Sequence, residues 1–159
     1  MLAVLATVSF GASTVGAQAG PAKAGFTGRW ALDVARSDFG AAAAQAPTSV
    51  TMTVSRTADH LLVDQTVVVA GQTMSVRNDY ALDGREVAAT AGDGQPAMTS
   101  ARAAGDTLFI DAAMDRQGMR ITRASRWTLG ADGRTMTIVQ TMQTPMGGLT
   151  MHAVFDRTP

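Results

Sequence analysis

From Val50 to the C-terminus the chain is cut every ~10–15 residues by a turn-forming pair, and between the cuts apolar and polar residues alternate with a period of two. The pairs are Ala58-Asp59, Ala70-Gly71, Asp83-Gly84, Asp93-Gly94, Gly105-Asp106, Gln117-Gly118, Asp132-Gly133 and Gly147-Gly148. The clearest unit runs from Arg126 to Met142. Trp127 and Leu129 alternate with Arg126 and Thr128, Asp132-Gly133 supplies the left-handed backbone of a tight turn, and Met136, Ile138 and Met142 alternate with Thr135, Thr137 and Thr141 on the return. This is a hairpin with one apolar face and one threonine face.

The same pattern recurs along the chain. Phe26, Gly28, Trp30 and Leu32 share one parity; Val50, Met52 and Val54 alternate with threonines; Leu61 to Val69 is β-branched; Met74, Val76 and Tyr80 alternate with Thr73, Ser75 and Arg77. Further strands are expected over 85–90, 97–103, 107–114, 119–129, 134–142 and 148–157, about ten strands in all. Asp33 to Pro47, with Gly40 and the alanine run Ala41 to Ala44, breaks the alternation and reads as a loop or short helix, the one long connection. Tight turns pair each strand with the one before it, and a meander this long hides its two edges by closing on itself. The expected fold is all-β, an antiparallel up-and-down β-barrel of about 8–10 strands. A two-sheet sandwich would need longer crossings than the chain offers after Val50.

Composition sets the class and the partners. The 159 residues, 46% of them hydrophobic, suit a single domain, placed at 26–159. Thirteen basic residues balance thirteen acidic ones with no basic run, which argues against a nucleic-acid partner. Residues 1–19 read as a secretory signal: Leu2 to Val15 is uncharged, apolar and too short to span a bilayer, and small residues follow, with cleavage expected after Ala17 or Ala19. The basic start of such a signal is missing, so the expected origin lies upstream or has been clipped. Residues 20–25 form a flexible leader. With no cysteine, neither a lipid anchor nor a disulfide framework is expected, and no later segment is apolar enough to cross a membrane. The expected location is periplasmic or secreted, with a monomer as the working state.

Gly28-Arg29-Trp30 on the first strand and Phe155-Asp156-Arg157 on the last resemble the lipocalin and wider calycin pattern. The resemblance implies that Trp30 closes one end of the barrel, with Gly28 beside it, and that Arg157 packs across the indole face, a cation–π contact worth ~0.5–2 kcal/mol. The parity is compatible, since Leu149, Met151, Ala153, Phe155 and Arg157 share one face. Phe26-Thr-Gly-Arg-Trp30, Ser37-Asp-Phe39, Tyr80-Ala-Leu-Asp-Gly84 and Trp127-Thr-Leu-Gly-Ala-Asp-Gly133 further resemble a group of small secreted bacterial lipocalin-like proteins with no assigned function. No Thr-Asp-Tyr triplet accompanies these motifs, so a ten-stranded relative of the fatty-acid-binding proteins stays equally open.

Catalytic signatures are missing from the sequence: no nucleophile elbow, zinc helix, phosphate loop or dinucleotide fingerprint occurs, and no cofactor is implied. Of the two histidines, His60 follows a turn and is expected at a rim, whereas His152 has the parity of Thr150 and Val154 and is expected to face outward. Were that parity inverted, His152 would enter the cavity as a haem ligand. The ten methionines are spread about one per strand, which suits packing better than soft-metal ligation, and no metal site is expected. Aromatic content of only 5% leaves few bulky groups to fill a wide barrel, so a cavity is expected, with Met98, Met119, Met136 and Met151 in its lining. Arg102 and Arg123, read as inward by parity, together with Gln65 and Gln140, would anchor a polar head such as a carboxylate. The function expected is non-catalytic binding of a small hydrophobic or amphipathic molecule, such as a fatty acid or lipid fragment. The rivals are a filled structural or interaction barrel, a haem-binding barrel, and a small isomerase or hydrolase using Asp79 or Asp111.

Overall fold

The structure, a computed structural model, describes residues 24–91 and 95–159. The expected signal segment, most of the leader and the Asp93-Gly94 turn lie outside those residues. Ten strands follow a short 3-10 turn at Ala24–Phe26: β1 (Gly28–Asp38), β2 (Ser49–Arg56), β3 (His60–Val69), β4 (Gln72–Ala81), β5 (Val87–Thr90), β6 (Pro96–Ala104), β7 (Thr107–Arg116), β8 (Met119–Leu129), β9 (Thr135–Thr144) and β10 (Gly147–Thr158). They form one antiparallel sheet in the order β4-β3-β2-β1-β10-β9-β8-β7-β6-β5. First and last strands pair, with Trp30 opposite Arg157 and Leu32 opposite Phe155. The expected all-β barrel is therefore what forms.

Its closure departs from the expected meander at one place. β4 and β5 are consecutive in the chain yet do not pair, leaving an open seam. The Asp83-Gly84 turn is drawn toward β6: Gly84 donates its N–H to the Ala101 carbonyl at 2.9 Å, and Asp83 bridges to Arg102. The chain is thus carried across to β6, and β5 pairs with that strand alone.

Local chemistry explains the remaining differences. β1 runs on to Asp38 through the stretch expected to be irregular, and its register against β10 slips between Asp33 and Asp38. Ser37 repairs the slip, its hydroxyl donating to the Asp33 carbonyl at 2.6 Å and accepting the Val154 N–H at 2.9 Å. A 3-10 turn at Gly40–Gln45 then leads to β2. Ala70-Gly71 and Gln117-Gly118 have φ of 49° and 76°, and 50° and 78°, the doubly left-handed geometry of a two-residue hairpin turn. The Asp132-Gly133 connection is longer than a tight turn, spanning the residues between Leu129 and Thr135, with the Asp132 carboxylate accepting the N–H groups of Arg134 and Thr135. Gly147-Gly148 already belongs to β10, and the reversal falls at Pro145-Met146.

The core fills one end of the barrel. Trp30, Val54, Leu61, Val63, Leu108 and Met136 are almost wholly buried there. Trp30 donates its indole N–H to the Phe26 carbonyl at 2.9 Å, and the Phe26 ring meets Trp127 edge-on at 6.5 Å between centroids. The sealed end leaves the opposite half of the interior to smaller and more polar side chains.

Candidate ligand-binding site

Inward parity continues past the core on every long strand. β3 contributes Gln65 and Val67, β4 Val76 and Asn78, β6 Ala97 and Thr99, β8 Arg123, β9 Gln140 and β10 Met151, all facing inward by the register of their buried neighbours. Two spaces remain between them. An apolar chamber of about 200 Å³ lies beneath Phe39 and Pro47, which enter from the β1–β2 connection, and is floored by Phe155 and walled by Val67, Ile138 and Met151. A second chamber of about 120 Å³ lies toward the seam, among Asn78, Thr90, Thr99, Met114 and Arg123. Gln65 borders both chambers.

The polar groups are distributed unevenly. In the apolar chamber, Gln140 carries the amide, its Oε1 accepting the Ser125 hydroxyl at 3.4 Å. Arg123 is half-buried and has no ion-pair partner among the described residues. Burial pushes the Tyr80 phenol above its ordinary value, and the positive charge of Arg123 pulls it the other way. Thr99 is 7% exposed, and its buried hydroxyl has no hydrogen-bond partner among the described residues. Leaving such a group unpaired costs ~1–3 kcal/mol.

The residues expected to line a cavity separate into two groups. Gln65, Arg123, Gln140 and Met151 border the chambers. Arg102 and Met98 are corrections: β6 turns Ala97, Thr99 and Ala101 inward, so Met98 is exposed at 38% and Arg102 lies outside with its guanidinium 4.0 Å from the Phe109 ring centroid. The large side chain misled the parity assignment, because register against the neighbouring strand decides the face: Ala101 lies beside Ile110 and Ala103 beside Leu108 on β7, and cross-strand partners share a face. Met136 is sealed in the core, and Met119, though of inward parity, is exposed at the tip of the β7–β8 hairpin. Asp79 and Asp111, the carboxylates an enzyme reading would need inside, are both exposed on the outer face.

Sequence reasoning missed Asn78, Thr90 and Thr99, and it missed Phe39 and Pro47. Asn78 shares parity with Val76 and Tyr80 and could have been found that way; Thr99 could not while β6 was read with Met98 inward.

His152 sits opposite Val139 on the outer face and is exposed, so the inverted parity that haem ligation needed does not occur. His60, at the start of β3, is exposed and holds Asp79 at 2.7 Å through Nδ1. Among the described residues no three His, Asp or Glu side chains are grouped to hold a metal ion, and no helix is long and apolar enough to cross a membrane. Two depressions of about 330 Å³ each lie on the outer faces, one bordered by Thr51, Thr53 and Asp64, the other by Glu86, Asp111 and Arg120. Both are open grooves on the surface, the first the more polar of the two.

Gly28 and Arg157 complete the closed end. The Arg157 guanidinium donates to the carbonyls of Gly133 at 2.9 Å, Thr27 at 2.6 Å and Gly25. Gly28 has φ of +136°, and a Cβ there would stand 2.6 Å from an Arg157 terminal nitrogen.

This architecture is found in solved structures. Zebrafish ileal bile acid-binding protein complexed with cholic acid superposes with a TM-score of 0.60 at 11% identity, over 84% of this chain and 99% of that one. Fatty-acid-binding protein 1 of Echinococcus granulosus gives 0.59 at 7% identity, over 85% and 98%. Lipid binding protein 8 of Caenorhabditis elegans gives 0.58 at 15% identity, over 88% and 100%. No protein-family model matches the sequence, and no curated protein aligns with it significantly. The chain shares the fold of these structures, here an antiparallel β-barrel of ten strands.

Proposed function

We propose that the chain binds a small hydrophobic or amphipathic molecule, fatty-acid-like in chemistry, inside the barrel and without catalysing its conversion. The observation that carries this reading is the division of the interior: a close-packed core at one end, and at the other an apolar chamber that shares Gln65 as a wall with a space bordered by Arg123. Apolar surface supplies affinity, and a guanidinium without a protein partner supplies an anchor for an acid. The solved structures of the same fold include one titled as a complex with cholic acid and others titled as fatty-acid-binding proteins, which supports the class of ligand. The chambers lie below the ~300–1,000 Å³ usual for drug-sized ligands, which favours a compact molecule.

An exported, periplasmic or secreted location belongs to the same proposal. It is supported by the uncharged apolar stretch from Leu2 to Val15 and by the small residues that follow it.

Native mass spectrometry of the protein from its own host, with organic extraction, tests the reading. A stoichiometric lipid-like mass is the expected result. A bare protein mass, together with no binding of an environment-sensitive apolar dye, would favour a filled structural barrel instead. If an acid is held, Arg123→Ala weakens it more than a neutral analogue.

A further inference from the structure

We propose that the seam between β4 and β5 is a ligand subsite, receiving the carboxylate of a compact amphipathic acid whose apolar part lies in the chamber beneath Phe39 and Pro47. The inference rests on the binding function just proposed and adds which end of the ligand goes where.

Three observations converge on the seam. The first is the Thr99 hydroxyl, buried with no partner among the described residues and bordering the inner chamber. A hydroxyl so placed has no partner among the described residues, and a ligand oxygen would satisfy it. The second is charge. Among the described residues Arg123 is the sole charged one around that chamber; the others that offer polar atoms, Gln65, Asn78, Thr90 and Thr99, bring amide N–H and hydroxyl donors. A site built of one cation and neutral donors suits an acceptor-only anion, and a carboxylate is that group. The third is access. An outer depression of about 300 Å³ shares Asn78, Thr90 and Thr99 with the inner chamber and continues to Arg77, Asp79 and Tyr80, the Asp79 carboxylate being engaged by His60. The unpaired strands therefore open the wall to water beside the Thr99 hydroxyl, so an ionised head placed there keeps part of its hydration and escapes the full penalty of burial.

The apolar chamber offers no comparable site. Its polar groups are the amides of Gln65 and Gln140, and Gln140 is already engaged with Ser125. An amphipathic acid is thus oriented across the barrel, tail toward the β1–β2 connection and head toward the seam, with Gln65 at the boundary.

The test uses decanoate, decanol and an environment-sensitive apolar dye as probes, on the whole chain and on its Thr99→Val variant. Valine keeps the shape of threonine and removes the unpaired hydroxyl, so the variant is expected to melt at a higher temperature without ligand. It is also expected to bind decanoate roughly three- to tenfold more weakly while holding decanol unchanged. The parent chain should prefer decanoate to decanol by about tenfold or more. A gain in stability joined to a selective loss of acid binding is not what a packing role for Thr99 would produce. Decanoate and decanol binding equally well, or both unaffected by Thr99→Val, would overturn the seam subsite and leave the binding function standing. Failure of all three probes to bind the parent chain would overturn both.

Discussion

The guanidinium carbon of Arg157 lies 4.4 Å from the centroid of the Trp30 ring, joining the last strand to the first across the closed end of the barrel. Trp30 is 1% exposed, so its truncation removes a buried aromatic from a packed core. Trp30→Ala is expected to cost ~3–5 kcal/mol, a fall in melting temperature of roughly 6–20 °C for a domain of this size. An unchanged melting temperature would contradict the closing role of the indole. Arg157→Met retains the aliphatic stem but strands the carbonyls of Gly25, Thr27 and Gly133, with an expected loss of ~1–3 kcal/mol by denaturant unfolding.

Gly28 is required by the same arrangement. Its φ of +136° and the 2.6 Å approach of an Arg157 nitrogen to any Cβ act in the same direction. Gly28→Ala is expected to destabilise by ~1–3 kcal/mol. In combination with Arg157→Met the cost should fall below the sum of the two, because the clash has gone, and a double-mutant cycle measures that difference.

Tyr80 reports on the inner chamber. Burial raises its phenol above the ordinary 10.0, and Arg123 opposes the rise. Removing the cation in Arg123→Ala should therefore move the tyrosine titration higher still, as followed by ultraviolet absorbance of the single tyrosine. The sign for stability follows from the folded state holding the proton more tightly. The contribution is present below the unfolded value and is lost as pH rises through the folded one, so the chain weakens in strong alkali. A lower phenol value in Arg123→Ala would move Arg123 out of the interior.

His60 gives a weaker dependence nearer neutrality. Its hydrogen bond to Asp79 is the main cause that raises the imidazole above 6.5, with desolvation opposing and the charge of Asp79 assisting. The protonated form is the one the fold favours, so this small stabilisation is complete below the unfolded value and disappears as pH rises through the folded value. The pair is exposed, and added salt should shrink the effect. Proton NMR of the His60 ring should show the raised titration midpoint falling back in Asp79→Asn; a midpoint indifferent to that change would dissolve the pair in solution.

Amino-acid order alone determined the strands, their antiparallel succession and, along β8 to β10, which residues share a face. Trp127, Met136, Ile138 and Phe155 declare their side unambiguously, because large apolar groups alternate there with threonine and charge. The relation of Trp30 to Arg157 was implied by the resemblance to the calycin pattern, with parity in agreement, and alternation placed Gln65, Arg123 and Gln140 on the apolar faces of their strands. Tertiary structure decided the rest. On β6 both parities are plausible locally, and only its register against β7, which sets Ala101 beside Ile110 and Ala103 beside Leu108, turns Ala97, Thr99 and Ala101 inward and leaves Met98 and Arg102 outside. The seam likewise depends on a long-range choice, the attachment of Gly84 and Asp83 to β6, which no period of two can encode. Alternation sets which side chains lie together on a strand; the register against neighbouring strands sets which of them face in, and with that where the chambers and the unpaired Thr99 hydroxyl fall.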